Sequence, residues 1–258
     1  MNVPTVSAAS LALALAAAAL PAGLAAQQYT SPRDAVVDAR GATRVRVSAA
    51  AGSLRIEGRP GLREVRIRGV ARASDRKYLD AMRLVADRRG SEVRVEVEMP
   101  QVRVMLGRVQ RVLDLVIEVP EGMAMDVGDS SGDVEIRRVG ALRVDDSSGE
   151  LTIEDVRGDV DVTDSSGGVS ITQVAGGVRV SDSSGELSIS GVRRDVVVDE
   201  DSSGEIDVRD VRGDVLVRED GSGGIRVDGI GGDLTVRDDG SGGVRVGRVA
   251  GTVRLPRN

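Results

Sequence analysis

The chain of 258 residues contains no cysteine, histidine, tryptophan or phenylalanine, and it has two tyrosines and a single lysine. Without histidine and cysteine, the sequence excludes Ser-His-Asp and Cys-His nucleophiles, Cys/His zinc sites, and haem or iron–sulfur sites held by those ligands. A phosphate-binding loop needs Gly-Lys-Ser/Thr, whereas Lys77 is followed by Tyr78. Carboxylates, arginines and hydroxyls are therefore the side chains left for chemistry.

The scarcity of rings and the distribution of charge also limit the partners. Aromatic residues make up 1% of the chain, and nucleic-acid platforms and sugar subsites usually stack their ligands on rings. Residues 129–258 hold 27 acidic and 16 basic side chains, which argues against a nucleic-acid partner. A content of 40% hydrophobic and 29% charged residues is typical of a folded domain, and its core must be aliphatic.

The N-terminus predicts export. Residues 1–26 carry no charge and are rich in Ala and Leu, with Pro21 and Gly23 near the end. This pattern predicts a signal peptide over residues 1–26, cleaved near residues 24–26, and a destination in the periplasm, on the cell surface or outside the cell. The alternative is an uncleaved membrane anchor; Pro21 and the small residues after it favour cleavage, which leaves no stable membrane span. Residues 27–43 are predicted to be a polar linker.

A repeated turn organises the second half of the chain. An Asp-Ser-Ser-Gly tetrapeptide recurs and then continues as Asp-Gly-Ser-Gly, at intervals of 17 to 19 residues. Repeats of this length indicate a solenoid, a propeller or an array. The tetrapeptides begin at Asp129, Asp146, Asp164, Asp182, Asp201, Asp220 and Asp239.

Each repeat carries five aliphatic positions in the pattern of two short strands. In the third unit these are Val169, Ile171, Val174, Val178 and Val180, and all seven units have Val, Ile or Leu at the equivalent places. Alternate residues of a strand face the same way, so stacking such coils in register builds continuous aliphatic ladders. Propeller blades need about four strands per ~40 residues and fit poorly. The sequence predicts an all-β fold, a parallel β-solenoid of about seven coils over residues 121–258.

The first half is predicted to cap this solenoid. Residues 44–120 contain several segments with the two-residue period of strands, and they read as a β-rich cap. Within it, residues 75–89 predict one helix, with Ser74 as its N-cap, Gly90 past its end, and an apolar face made of Leu79, Met82, Val85 and Ala86. Pro120 and Gly122 mark the junction with the repeats.

These motifs support a resemblance. The segment from Leu113 to Gly122, followed by Ser-Ser-Gly-Asp-Val-Glu-Ile at 130–136 and its repeats, resembles the bacterial putative-adhesin family of β-strand-repeat domains of unknown function. The resemblance covers roughly residues 44–255 and implies an exported β-helical domain. In that family "adhesin" is a label, so the ligand, a component of the cell envelope or surface, and the oligomeric state remain undefined.

The stacked Asp turns offer the one candidate cofactor site. In-register carboxylates about 5 Å apart repel one another, and Ca²⁺ relieves such repulsion. The alternative is turn chemistry, in which Asp and Ser bond to nearby backbone and Gly supplies a positive φ. The sequence favours the turn and predicts no bound cofactor. The candidate calcium ligands are Asp146, Asp164, Asp182, Asp201, Asp220 and Asp239.

Two further motifs have a functional and a structural interpretation. Arg-Gly-Asp at 157–159 and again at 212–214 spells a receptor-adhesion tripeptide, but both copies fall at the same turn of the repeat. Outward carboxylates allow a carbohydrate-active β-helix enzyme, yet no long loop interrupts the coils to form a cleft. The sequence therefore predicts a non-enzymatic, adhesin-like binding or structural module, with a carbohydrate-active enzyme or a calcium-stabilised scaffold as alternatives.

Overall fold

A computed structural model describes residues 28–100 and 110–256 of the chain. The predicted signal peptide, residues 1–26, lies outside the described residues. Within those ranges the protein is all-β with a single short helix, and its parallel strands stack into a solenoid of about seven turns. The predicted fold class is confirmed. Among the same residues, no helix has both the length and the apolar character that crossing a membrane requires.

The solenoid strands of the second half alternate between two parallel sheets. These strands are β9 (Ala124–Asp129), β10 (Val134–Arg137), β11 (Leu142–Asp146), β12 (Leu151–Val156), β13 (Val160–Asp164), β14 (Val169–Val174), β15 (Val178–Asp182), β16 (Leu187–Val192), β17 (Val196–Asp201), β18 (Ile206–Val211), β19 (Val215–Val217), β20 (Gly223–Ile230), β21 (Leu234–Val236), β22 (Gly242–Val246) and β23 (Val253–Arg254). The first sheet holds the even-numbered strands from β10 to β22, and the second holds the odd-numbered strands from β9 to β23.

The core consists of the aliphatic ladders that the repeat predicts. Val134 pairs with Leu151, and Leu151 with Val169, so equivalent side chains stack from coil to coil. All thirty aliphatic positions of the first six units are buried. In the last unit Val253 and Leu255 are 42% and 44% exposed, because no further coil among the described residues packs on them. β-branched side chains suit this pleated, closely lined interior.

The first half forms the other end of the stack. Its elements are β1 (Tyr29–Pro32), β2 (Ala35–Asp38), β3 (Arg44–Ser48), β4 (Leu54–Arg59), β5 (Glu64–Ala73), α1 (Arg76–Ala81), β6 (Arg83–Arg89), β7 (Glu92–Glu98) and β8 (Arg111–Pro120). The linker predicted over residues 27–43 is not a plain linker in its described part, residues 28–43, because β1 and β2 both pair antiparallel with β5. They are held because Tyr29, Ala35 and Val37 pack against the core.

The strands β3 and β4 are a coil of the solenoid itself. In the second sheet β3 lies between β7 and β9, and in the first sheet β4 lies between β8 and β10, all in parallel register. The chain therefore completes one coil, builds the antiparallel end from β5 to β8, and returns past that coil to begin β9. At Gly58 in β4 a Cβ atom would lie 1.9 Å from the carbonyl oxygen of Arg138, so only glycine fits where these two segments pass each other.

The helix predicted over 75–89 is wrong in its extent. The observed α1 ends at Ala81, where the Arg33 guanidinium donates to the carbonyl oxygens of Leu79 and Met82. Asp75, rather than Ser74, is the N-cap and accepts from the backbone N–H of Lys77 at 2.9 Å. Residues 83–89 instead form β6, which pairs antiparallel with β7 across a tight turn at Gly90. Tertiary pairing has overridden a local helical pattern.

Candidate functional site: two columns of aspartates

The seven Asp turns stack into one column along the solenoid. The Cα registers place Asp129 beside Asp146, Asp146 beside Asp164, and so on through Asp182 and Asp201. Isolated bridges extend the same register to the last two turns. The structure thus brings all six candidate calcium ligands into one line and adds a seventh residue. We call the set the buried aspartate column: Asp129, Asp146, Asp164, Asp182, Asp201, Asp220 and Asp239.

The carboxyl groups of this column point into the solenoid rather than into solvent. Six of the seven residues are at most 5% exposed, and Asp239 in the last turn is half-buried. The cause is strand parity: Val178, Val180 and Asp182 are alternate residues of β15 and share its inward face. This alternation was present in the sequence and could have revealed the burial, which we did not predict.

The longer repeats contain one extra residue, and a β-bulge accommodates it so that the aspartate still faces inward. Between β15 and β17 the register shifts, so that Val180 lies beside Val198 while Asp182 still lies beside Asp201. The bulge leaves Asp199 unpaired in the ladder, and its carboxylate binds Arg179 at 2.6 Å and Arg218 at 2.7 Å on the outer surface. The nineteen-residue spacing therefore keeps the column continuous.

Hydrogen bonding inside the column is incomplete. One oxygen each of Asp146, Asp182 and Asp201 accepts a backbone N–H from the following serines, at 2.8, 3.2 and 3.1 Å. At Asp164, as at Asp129 and Asp220, neither buried carboxylate oxygen has a hydrogen-bond partner. Buried polar atoms are satisfied in the great majority of cases, so a row of unpaired oxygens calls for an explanation.

Burial alters the acidity of these groups. Desolvation, and then the neighbouring charge of Asp146, raises the pKa of Asp129 to about 7. Desolvation and the charge of Asp182 do the same to Asp164, whose pKa is also about 7. The pKa of Asp201 and that of Asp220 are raised to about 6, again by desolvation first. The pKa values of the remaining two buried members are raised by the same cause.

The column is linear and does not converge on a point. Within residues 28–100 and 110–256, no three or more Asp or Glu side chains gather in a geometry that could hold a metal ion. Acidic residues next to the column in the sequence face away from it: Asp145, Glu200, Glu219 and Asp238 are exposed. Each gap between coils therefore offers the carboxyl groups of only two column residues.

A second column of aspartates lies at another corner of the coil, on the surface. Asp195 Oδ1 accepts the backbone N–H of Asp214 at 2.9 Å, Asp214 Oδ1 that of Asp233 at 2.7 Å, and Asp233 Oδ1 that of Thr252 at 2.8 Å. Asp159 accepts from Gly177 in the same way at 2.8 Å. Each carboxylate thus ties its coil to the next. We call Asp159, Asp195, Asp214 and Asp233 the corner aspartate column.

The two Arg-Gly-Asp tripeptides belong to this corner. Asp159 and Asp214 make the inter-coil bonds just described, and Arg157 pairs with Glu121 at 2.7 Å. At Gly158 a Cβ atom would lie within 2.6 Å of the Ala141 backbone. The tripeptides therefore match the turn interpretation: each residue type has a structural role at the corner.

The outer face of the second sheet has a shallow depression and an apolar stripe. The depression, of about 390 Å³, is lined by Asp159, Asp161, Arg179, Asp195 and Val197 among others. Val197 pairs in register with Leu216, and Leu216 with Thr235, so a small stripe continues along three coils. The connections between solenoid strands from β9 to β23 are only three to six residues long, so the depression lies open.

Comparison with known proteins gives matches to solved structures at low sequence identity. No family model and no curated protein matches the chain. A putative cell adhesion protein from Clostridium sporogenes is 12% identical, with a TM-score of 0.31 over 89% of this chain and 100% of that one. A putative lipid binding protein from Parabacteroides distasonis is 14% identical, with a TM-score of 0.49 over 88% and 95%. A putative adhesin from Bacteroides fragilis is 10% identical, with a TM-score of 0.34 over 89% and 97%.

Proposed function

We propose that this protein is an exported, non-enzymatic β-solenoid that serves as an adhesin-like binding or structural module in the periplasm or at the cell surface. The uncharged N-terminus supports export. The observation that carries the proposal is the regular outer face, on which each coil repeats the positions of the coil before it. Stacked parallel coils give such a face the stiffness that an extended binding surface needs.

The second sheet is the surface we assign to binding. Its stripe at Val197 and Leu216 borders the open depression, which also gathers Arg179 and Arg194 beside carboxylates. Apolar side chains rimmed by charged ones are typical of sites that bind another macromolecule. The ligand we expect is an envelope or surface component.

The test is saturable binding of purified residues 28–258 to envelope fragments. We expect Val197→Ser and Leu216→Ser together to weaken binding by roughly tenfold, which corresponds to ~1.4 kcal/mol. Val116→Ser is the matched control, because Val116 is 41% exposed on the first sheet. Equal binding by the double variant and the wild type would show that this stripe is not the site, and a complete lack of saturable binding would contradict the binding function.

A carbohydrate-active enzyme is the second candidate, and the same depression favours it. Three carboxylates, Asp159, Asp161 and Asp195, line it together with two arginines. Paired carboxylates are what glycoside hydrolysis uses. Release of new reducing ends from envelope polysaccharides, abolished by Asp161→Asn, would establish this activity in place of the binding function.

A further inference from the structure

The buried aspartate column has no positive partner. Arg and Lys form many ion pairs across the outer faces, but among the described residues none pairs with a column carboxylate. Taking carboxylates out of water is costly, and unpaired charges in a dry interior usually change protonation state instead. A fully ionised column would stack six buried negative charges about 4.8 Å apart, the spacing of neighbouring strands.

The charges that act on each carboxyl come almost entirely from the column itself. Asp129 faces Asp146, and Asp164 faces both Asp146 and Asp182. Asp201 faces Asp182 and Asp220, and Asp220 faces Asp239. Among the outward-facing neighbours, only Asp145 acts on a column residue: its negative charge raises the pKa of Asp146. At Asp146, Asp182 and Asp201 a backbone N–H of a turn serine opposes this negative charge. The coil that precedes Asp129 in the stack, formed by β3 and β4, adds no carboxyl group to the column. Ser48 pairs with Gly128, so the next residue, Ala49, lies at the level of Asp129.

We propose that the buried aspartate column is a proton-binding site, in which protonated carboxyl groups alternate with ionised ones and donate hydrogen bonds along the solenoid axis. Each O–H of a protonated aspartic acid donates to a carboxylate oxygen of the next coil. Each such bond gives a partner to one oxygen on each of two neighbouring residues, and the alternation roughly halves the charge of the column. The protons come from solvent, and no other reactant is needed.

The geometry suits a proton better than a divalent cation. Ca²⁺ takes six to eight oxygen ligands at 2.3–2.6 Å. A gap between two coils offers only two aspartates, and no converging acidic cluster exists in the described part of the chain. A proton needs one donor and one acceptor, and O–H···O⁻ bonds are short and strong. The raised pKa values of Asp129 and Asp164 agree with protons being held near neutral pH.

The sign of the resulting pH dependence follows from proton linkage. Because the pKa values are higher in the folded state than the ordinary value of 3.8, the folded state binds more protons between about pH 4 and pH 7. Stability from the column is therefore complete below this window and is lost as the pH rises through it. Surface carboxyls with lowered pKa, such as Asp38 and Asp233, act oppositely and only in more acid solution.

The experiment measures the melting temperature of the purified protein between pH 5 and pH 8, with and without EDTA or millimolar CaCl₂. We expect the wild type to melt several degrees higher at pH 5 than at pH 8, with no effect of EDTA or calcium. Asp164→Asn keeps the shape and removes the titrating proton, so it should melt higher than the wild type at pH 8 and show a smaller change between the two pH values. Asp161→Asn, on the outer side of the same strand, is the control and should retain the wild-type change.

A second measurement keeps the test independent of folding defects. Carbon NMR of ¹³Cγ-aspartate in the wild-type protein should show several carboxyl groups that titrate near pH 6–7, and one of these signals should be missing in Asp164→Asn. A flat or rising melting temperature from pH 5 to pH 8 would overturn the proposal. So would a calcium-dependent rise in melting temperature at pH 8, because a cation and not a proton would then neutralise the column.

Discussion

The two aspartate columns contain the same side chain in opposite environments, one exposed to solvent and one buried. In the corner aspartate column each carboxylate is solvated and accepts a backbone N–H of the next coil. In the buried aspartate column the carboxyl groups lie inside, and neither oxygen of Asp164 or Asp220 finds a donor. The pKa of Asp233 is lowered by its bonds to Thr252 and Arg254, whereas that of Asp220 is raised by burial. The difference shows that solvent and donors, and not the residue type, decide what a stacked aspartate does.

The sharpest way to break this comparison is to place a carboxylate in an aliphatic ladder. Val178 is buried on the same face of β15 as Asp182, but its neighbours in the ladder are Val160 and Val196. A lone charge there has no stacked acid with which to share a proton. We expect Val178→Asp to lower the free energy of unfolding by about 4 kcal/mol or more, measured by urea denaturation.

The control for this variant is Ser181→Asp, on the outer side of the same strand. It should change the free energy of unfolding by less than about 0.5 kcal/mol. If Val178→Asp melted like the wild type, the inward assignment of the ladder would be wrong.

The turn that carries the buried column can be tested at its glycine. Gly185 has a φ of 148°, and a Cβ atom there would lie 1.6 Å from the carbonyl oxygen of Gly167. Both the backbone conformation and the stacking of the coils therefore oppose a side chain. We expect Gly185→Ala to cost about 2 kcal/mol or more in urea denaturation. Gly243→Ala is the control, since a Cβ at Gly243 meets nothing within 4 Å; equal effects at the two positions would contradict the close stacking.

The smallest effect is expected at the corner. Removing the carboxylate of Asp195 leaves the backbone N–H of Asp214 without its 2.9 Å acceptor, but water can replace it. We expect Asp195→Ala to cost about 1 kcal/mol of unfolding free energy. Asp195→Asn keeps an acceptor oxygen and should cost less. A loss from Asp195→Asn as large as that from Asp195→Ala would mean that the charge, and not the hydrogen bond, matters at the corner.

The repeat predicted the second half of the molecule well because its signal is redundant. Five aliphatic positions recur in every unit, and each is reinforced by the equivalent residue in the next coil. The helix around Leu79 failed for the opposite reason: residues 83–89 have a pattern compatible with either helix or strand, and the pairing of β6 with β7 decided between them. The coil of β3 and β4 could likewise not be predicted from the local sequence, because the strands that pair with β4, β8 and β10, are distant in sequence.

The candidate site was predicted in its residues but not in its environment. Each Asp turn could be located from the motif, and the in-register stacking follows from the repeat. The burial of the carboxyl groups was not predicted, although Leu142, Val144 and Asp146 share one strand face and that face is interior. The bulge at Asp199, which restores this parity in a longer repeat, depends on the register of β15 with β17.

By itself the sequence determined the all-β class, the coils of the seven repeats, the aliphatic core and the lack of histidine and cysteine chemistry. These properties follow from composition and from a period that every repeat restates. Only the tertiary structure decided that a coil from residues 44–59 lies inside the stack, that residues 83–89 are a strand, and that six aspartates lie buried beside one another, each with at least one carboxylate oxygen that has no hydrogen-bond partner. Those outcomes depend on which distant strand lies next to which, and on how much water that packing leaves around each carboxyl group.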